Sequence, residues 1–184
     1  MPPKAHAGQF AHRLVTRDDL PALSVVVAAA IDALQRDFLT PDQIVASRNF
    51  MGIDSRLVED GTYFIVERNG AIAGCGGRSR RETPYGHDHT HGRNDRLLDP
   101  ATEPARIRAM YTHPDHARQG VGRFILGLCE AAAAAEGFAM LELSSTLSGA
   151  PLYRACGFVD VVRFQDEGVP LITMRKATGP IARG

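Results

Sequence analysis

Cysteine is scarce in this chain. Its three cysteines, Cys75, Cys129 and Cys156, are scattered and odd in number, which argues against a disulfide framework and for a reducing compartment. Long apolar runs are missing as well: no window reaches the roughly 20 residues needed to span a bilayer, and the opening MPPKAHAGQFAHR has no apolar stretch of the kind a signal peptide carries. A cytoplasmic protein without a membrane partner is the expectation. Net charge is absent too, because 21 Lys and Arg balance 21 Asp and Glu, so nothing at whole-chain level calls for nucleic acid. No internal repeat occurs. What is present is 184 residues, 44% of them hydrophobic, enough for one domain over 1–184 with a sizeable core over about 12–176. The ends, 1–11 and 177–184, read as frayed.

The most informative stretch is RIRAMYTHPDHARQGVGRF, Arg106 to Phe124. Arg106 to Thr112 alternates well enough to predict a strand, with Ile107, Ala109 and Tyr111 on one side and Arg106, Arg108 and Met110 on the other. His113-Pro114-Asp115 stops it, since proline has no N–H to give a ladder. From Gly120 the sequence is helix-forming: Val121, Phe124, Ile125, Leu128 and Cys129 build one apolar stripe, and Gly137 closes the helix. Gly120 and Gly122 lack side chains where unpaired N-terminal N–H groups point outward, which lets an anion meet the positive end of the helix. Arg118 and Arg123 add full charges. Neither common nucleotide fingerprint is met, for there is no Lys-Ser/Thr after the glycines and no third glycine with a downstream acid.

Phe138 to Ser144 then reads as another strand, and Ser148 to Phe158 as a short helix ending at Gly157 with Pro151 in its first turn. With these in place the chain resembles the GCN5-related N-acetyltransferases. In that family a Q/R-x-x-G-x-G/A turn follows a strand, and its amides hold the pyrophosphate of acetyl-CoA. The matching turn is Ala117-Arg118-Gln119-Gly120-Val121-Gly122, which departs from the pattern at Ala117. The segment Leu152-Tyr153-Arg154-Ala155-Cys156-Gly157-Phe158 is similar to the family's F-Y-x-x-x-G-F. The resemblance implies a cofactor site of Met110, Tyr111, Thr112, Arg118, Gln119, Gly120, Val121, Gly122 and Arg123, with acetyl-CoA as co-substrate and no metal. Pantetheine would add as a strand beside Met110 to Thr112, on a strand splayed from Leu141 to Ser144. Tyr153 would be the catalytic acid at the thiolate, and a backbone N–H at Met110 or Tyr111 would meet the oxyanion. The family's Asn before this helix falls on Ser148. A homodimer through the last strands is common in the family.

The remaining elements agree with that order. His12 to Thr16 reads as a strand, Asp18 to Phe38 as a long or broken helix, and Pro41 to Met51 as a second helix behind Thr40. Thr62 to Glu67 and Ala71 to Gly77 form a hairpin across Asn69-Gly70; Val159 to Phe164 and Val169 to Met174 form another. The expected fold is α/β (α+β), a mixed and mostly antiparallel sheet of six to seven strands with about four helices, in the order β-α-α-β-β-β-α-β-α-β-β.

Between the third and fourth strands, Glu82 to Glu103 is a long loop, of a length that signals function or disorder. It carries His87, Asp88, His89 and His91, which have the atom types of metal ligands but lack the separated rigid elements of a zinc site. A polar loop on the substrate side is the plainer reading. An amine acceptor needs a proton acceptor before attack at neutral pH, and Glu82, Glu103, His87 and Glu142 are the candidates. Cys75, on the glycine-rich strand Gly74 to Gly77, would border the acceptor pocket or be a small buried hydrophobe. The expected activity is direct acetyl transfer to a primary amine of a small molecule. A protein or peptide amine, or a module that binds acyl-CoA without turnover, are the alternatives.

Overall fold

The computed structural model describes residues 10–90 and 92–179. His91 and much of both expected frayed ends, 1–9 and 180–184, lie outside the described residues. Seven strands form one sheet: β1 Ala11–Leu14, β2 Tyr63–Arg68, β3 Ala71–Ser79, β4 Ala105–Thr112, β5 Met140–Thr146, β6 Val159–Asp166 and β7 Val169–Ala177. Their order is β1-β2-β3-β4-β5-β7-β6. Every pairing is antiparallel but one: β4 and β5 run parallel and pair only at Ala105↔Leu141 and Arg106↔Glu142.

The helices are α1 Leu20–Leu34, α2 Pro41–Ser47, α3 Ser55–Glu59, α4 Val121–Ala135 and α5 Ala150–Ala155. The expected element order holds, with α3 as an addition; five residues are too few to show a helical period. Asp54 caps α3 by accepting the Arg56 N–H, and Thr40 caps α2 through a reciprocal pair of bonds with Gln43. One face of the sheet packs on α4 through Val121, Ile125, Leu126, Cys129 and Ala133. Each large apolar side chain on that face stabilises the packing by about 1.5–3 kcal/mol. The other face packs on α1 through Leu23, Val27 and Ile31, over Tyr63, Ile65 and Cys75.

Glycines in β3 bring α4 close. A Cβ on Gly76 would lie 2.5 Å from Ile125 Cγ2, and one on Gly74 would lie 2.9 Å from Val121 Cγ1. These residues are glycine because the helix lies against the bare strand. Cys75, between them, points to the α1 face, where it is fully buried and accepts the Tyr63 hydroxyl at 3.3 Å. Burial pushes its thiol up to about 11, so it is the small buried hydrophobe of the two readings.

Strict alternation along β4 does not hold. Ala109 has a φ of 50°, and the register with β3 slips between Cys75 and Gly77, which inserts one extra residue into β4 as a bulge. Ile107 and Met110 therefore share the α4 face, while Arg108 and Tyr111 share the opposite one. The expected grouping of Ile107 with Tyr111 and Arg108 with Met110 is corrected by this single residue.

Candidate active site

The strands β4 and β5 are fastened at one end and open at the other. Glu142, buried on β5, takes Arg106 from β4 and Arg175 from β7, which closes the base of a V. Beyond that pair, residues 107–112 and 143–146 have no ladder between them. The gap they leave is a cleft of about 730 Å³ that extends from Ala117 to Arg123 at one end to Leu34, Phe50 and Tyr85 at the other.

At the first end the chain makes a tight turn into α4. Arg118 and Gly120 adopt φ values of 59° and 88°, and none of the amides of residues 118–123 donates to a backbone carbonyl among the described residues. Gly120 supplies no cap to the helix. A row of free N–H groups at the positive end of a 15-residue helix is an anion site by construction. A Cβ on Gly120 would meet nothing within 4 Å, whereas one on Gly122 would lie 2.7 Å from Leu152 Cδ2. The two glycines thus act differently: Gly120 allows the left-handed turn, and Gly122 admits Leu152 of α5. Arg118 and Arg123 line the cleft. The Gln119 side chain bonds the Asp115 carbonyl at 3.0 Å and takes Arg68, so only its backbone is free for a ligand, and the Val121 side chain is buried in the core.

Tyr153 reaches the middle of the cleft from α5. Its hydroxyl lies 3.6 Å from Met110 Sδ, and its ring meets Phe158 at 5.8 Å. Burial holds its phenol well above the ordinary value, so it stays protonated at neutral pH. Tyr111, one residue past Met110, is tied elsewhere: its hydroxyl accepts the Gly52 N–H at 2.8 Å and donates to the Gly52 carbonyl at 3.3 Å. Thr112 lines the cleft beside the turn. Ser148, where the family's Asn would fall, bonds Thr146 Oγ1 at 3.0 Å.

None of the four carboxyl or imidazole groups weighed as a proton acceptor faces the cleft. Glu82 takes Arg96 and Asn94. Glu103 takes Arg96 and the Asp99 N–H, and the Arg96 guanidinium draws its carboxyl down to about 2. Glu142 is held at the base of the V. His87 accepts the His89 N–H on Nδ1 at 3.0 Å, which leaves Nε2 to donate to the Arg48 carbonyl at 3.0 Å. Among the described residues, Asp37 is the one carboxylate lining the cleft, and no group of three or more potential metal ligands occurs.

The loop that carries the histidines is built rather than slack. Arg108 donates to Asp54 and to the carbonyls of Thr83 and Gly86, and Arg93 donates to both oxygens of Asp54. Arg81 pairs with Leu97 across an isolated bridge and takes Asp60 with two bonds of 2.7 and 2.8 Å. These contacts bring Pro84, Tyr85 and Gly86 to the far end of the cleft. Arg108, Asp54 and Gln35, which also lines the cleft, carried no sequence signal.

Residues 59–160 match the model of the acetyltransferase (GNAT) domain. The chain belongs to that family. It is an acyltransferase, and the family uses acetyl-CoA. No curated protein matches the chain. Among solved structures it is similar to a GCN5-related N-acetyltransferase from Rhodopseudomonas palustris, with 19% identity, a TM-score of 0.69 and coverage of 94% of this chain and 98% of that one. It is also similar to the PaiA N-acetyltransferase of Thermoplasma acidophilum in complex with coenzyme A, with 12% identity, a TM-score of 0.62 and coverage of 92% and 99%. The ribosomal-protein-S18-alanine N-acetyltransferase of Escherichia coli matches with 16% identity and a TM-score of 0.57, over 96% and 98% of the two chains. At these identities the likeness is one of fold. The mixed, mostly antiparallel seven-stranded sheet with its five helices is the architecture they share. No helix among the described residues is long and apolar enough to cross a membrane.

Proposed function

We propose that the cleft binds acetyl-CoA and that the protein transfers its acetyl group directly to a primary amine of a small-molecule acceptor. The observation that carries this reading is the continuity of three features in one cleft: the free amides of residues 118–123, the unpaired stretch of β4, and the Tyr153 hydroxyl. The residues fit the cofactor. The amides, with Arg118 and Arg123, would hold the pyrophosphate, Gln119 and Val121 serving through the backbone alone. Met110 and Thr112 would give the backbone groups that β5 leaves unpaired to the pantetheine amides, as an edge strand takes an added one, whereas the Tyr111 backbone is turned to β3 and would border the ligand without bonding it.

Acetyl-CoA supplies an acetyl group activated as a thioester. The protein's part is positioning and proton control. The Tyr111 N–H is turned toward the Cys75 thiol, which leaves the Met110 N–H, next to the bulge, as the donor for the oxygen that gains charge. Tyr153, kept protonated by burial, would give its proton to the departing sulfur. Asp37 takes the place of Glu82, Glu103, His87 and Glu142 as the group that would accept the amine's proton.

Titration of the protein with acetyl-CoA by calorimetry tests the cofactor site. Binding that Gly120→Glu abolishes supports the reading; absence of binding to the native chain overturns it.

A further inference from the structure

The end of the cleft opposite the amide turn holds a side chain that the fold does not use. Gln35 ends α1 and is 4% exposed. Its backbone carbonyl is occupied by the N–H groups of Phe38 and Leu39 at 3.0 and 2.9 Å, but its buried Oε1 has no hydrogen-bond partner among the described residues. A buried carboxamide left unpaired costs stability, and this one lines the cleft.

Its surroundings are apolar and stiff. Phe50 and Leu171, buried in a small cluster of their own, line the same end together with Phe38 and Met51. Tyr85 stands edge-on to Phe50 at 6.0 Å and packs on Phe164 at 5.8 Å. The Tyr85 hydroxyl is spent on Asp166 at 3.0 Å, so the ring is what it can offer. A second ammonium group placed among these walls would lose its hydration, with the exposed Asp37 as the one carboxylate lining the cleft to offset the loss.

Resting on the acetyl-transfer reading above, we propose that Gln35 selects the acceptor. The substrate class is a primary amine with an apolar body, aromatic or branched aliphatic, that fills this chamber and presents a hydrogen-bond donor to Gln35 Oε1. A site built around one unpartnered acceptor rejects molecules that leave it unpaired.

The experiment compares native protein, Gln35→Leu and Gln35→Glu with 2-(4-hydroxyphenyl)ethylamine, which carries a donor at its apolar end, 2-phenylethylamine, which carries none, and butane-1,4-diamine, reading kcat/KM, acetyl-CoA affinity and melting temperature. We expect the native protein to favour the hydroxylated amine over both others. Gln35→Leu should lose roughly tenfold or more in kcat/KM for the hydroxylated amine, through KM, and little for 2-phenylethylamine, with acetyl-CoA affinity unchanged and melting temperature equal or higher. Gln35→Glu should move preference toward the diamine. A native protein that binds acetyl-CoA but acetylates neither aromatic amine overturns the substrate class. A Leu variant with native kcat/KM for the hydroxylated amine, or with a lowered melting temperature, overturns the role of Gln35, while failure of the native chain to bind acetyl-CoA would overturn the underlying reading instead.

Discussion

Arg108 of β4 donates to Asp54, the residue that caps α3, across 2.8 Å, with the two side chains 3% and 1% exposed. The pair joins the sheet to the start of α3, and through the Thr83 and Gly86 carbonyls Arg108 also holds the long loop. Burying two charges is costly unless their remaining donors and acceptors are matched. Here Arg93 completes the shell of Asp54. Burial pulls the Arg108 pKa down while Asp54 opposes it, and guanidinium stays charged in either case.

Arg108→Met keeps the stem and removes the fork. Because Asp54 retains Arg93, the loss should fall near the lower end of the ~3–5 kcal/mol typical of a broken buried pair, read by urea denaturation. Amide exchange should rise over 83–94, where the loop loses its anchor. Unchanged exchange there would mean that the other loop contacts suffice.

Gly120→Glu should abolish acetyl-CoA binding, since its side chain would project from the amide turn with a charge that repels phosphate. Placing a side chain at a left-handed φ also costs about 1–2 kcal/mol, so a matched control is needed. Gly61, with a φ of 66° and open space around it, provides one. Gly61→Glu should lose similar stability and keep binding. Loss of binding in both variants would trace the effect to strain rather than to the site.

The end of the cleft at the amide turn was legible in the sequence because its information is local: a strand, a glycine turn and a helix lie within Arg106 to Phe124. The opposite end was not. Arg108 and Asp54 stand 54 residues apart, and no spacing rule links them. The bulge at Ala109 hid in a residue type that normally avoids positive φ, so the alternation around it was read one residue out of phase. Gln35 gave no signal, because an unpaired amide is visible only when its neighbours are known. The histidine string had the opposite fault. It stood out by composition, but His87 spends both ring nitrogens on backbone groups, the His89 N–H of the loop and the Arg48 carbonyl after α2.

Tyr153→Phe should lower kcat by about a hundredfold, in the range that one general acid supplies, with acetyl-CoA affinity unchanged. The pH profile carries a second check. Burial raises the phenol above its ordinary value near 10, and an acid with a raised pKa stays loaded until the pH passes that value. The native rate should therefore show no alkaline fall from this group below about pH 10. An alkaline limb near pH 8 that disappears in Tyr153→Phe would contradict the raised phenol.

Asp60 offers a test of stability against pH. Two bonds from Arg81 hold its carboxyl below the usual value, so the folded state binds this proton less readily than the unfolded one. Such a group stabilises the fold above the unfolded pKa of about 3.9, and that contribution is lost as pH falls through the lower folded value. Asp60→Asn should be less stable than the native chain by about 1 kcal/mol at pH 7, given the solvent screening of a pair at the surface. The gap should narrow below about pH 4 and close once the native carboxyl is protonated. Denaturant midpoints of both proteins across that range measure it; a gap that stays constant with pH would assign the loss to packing and not to the ion pair.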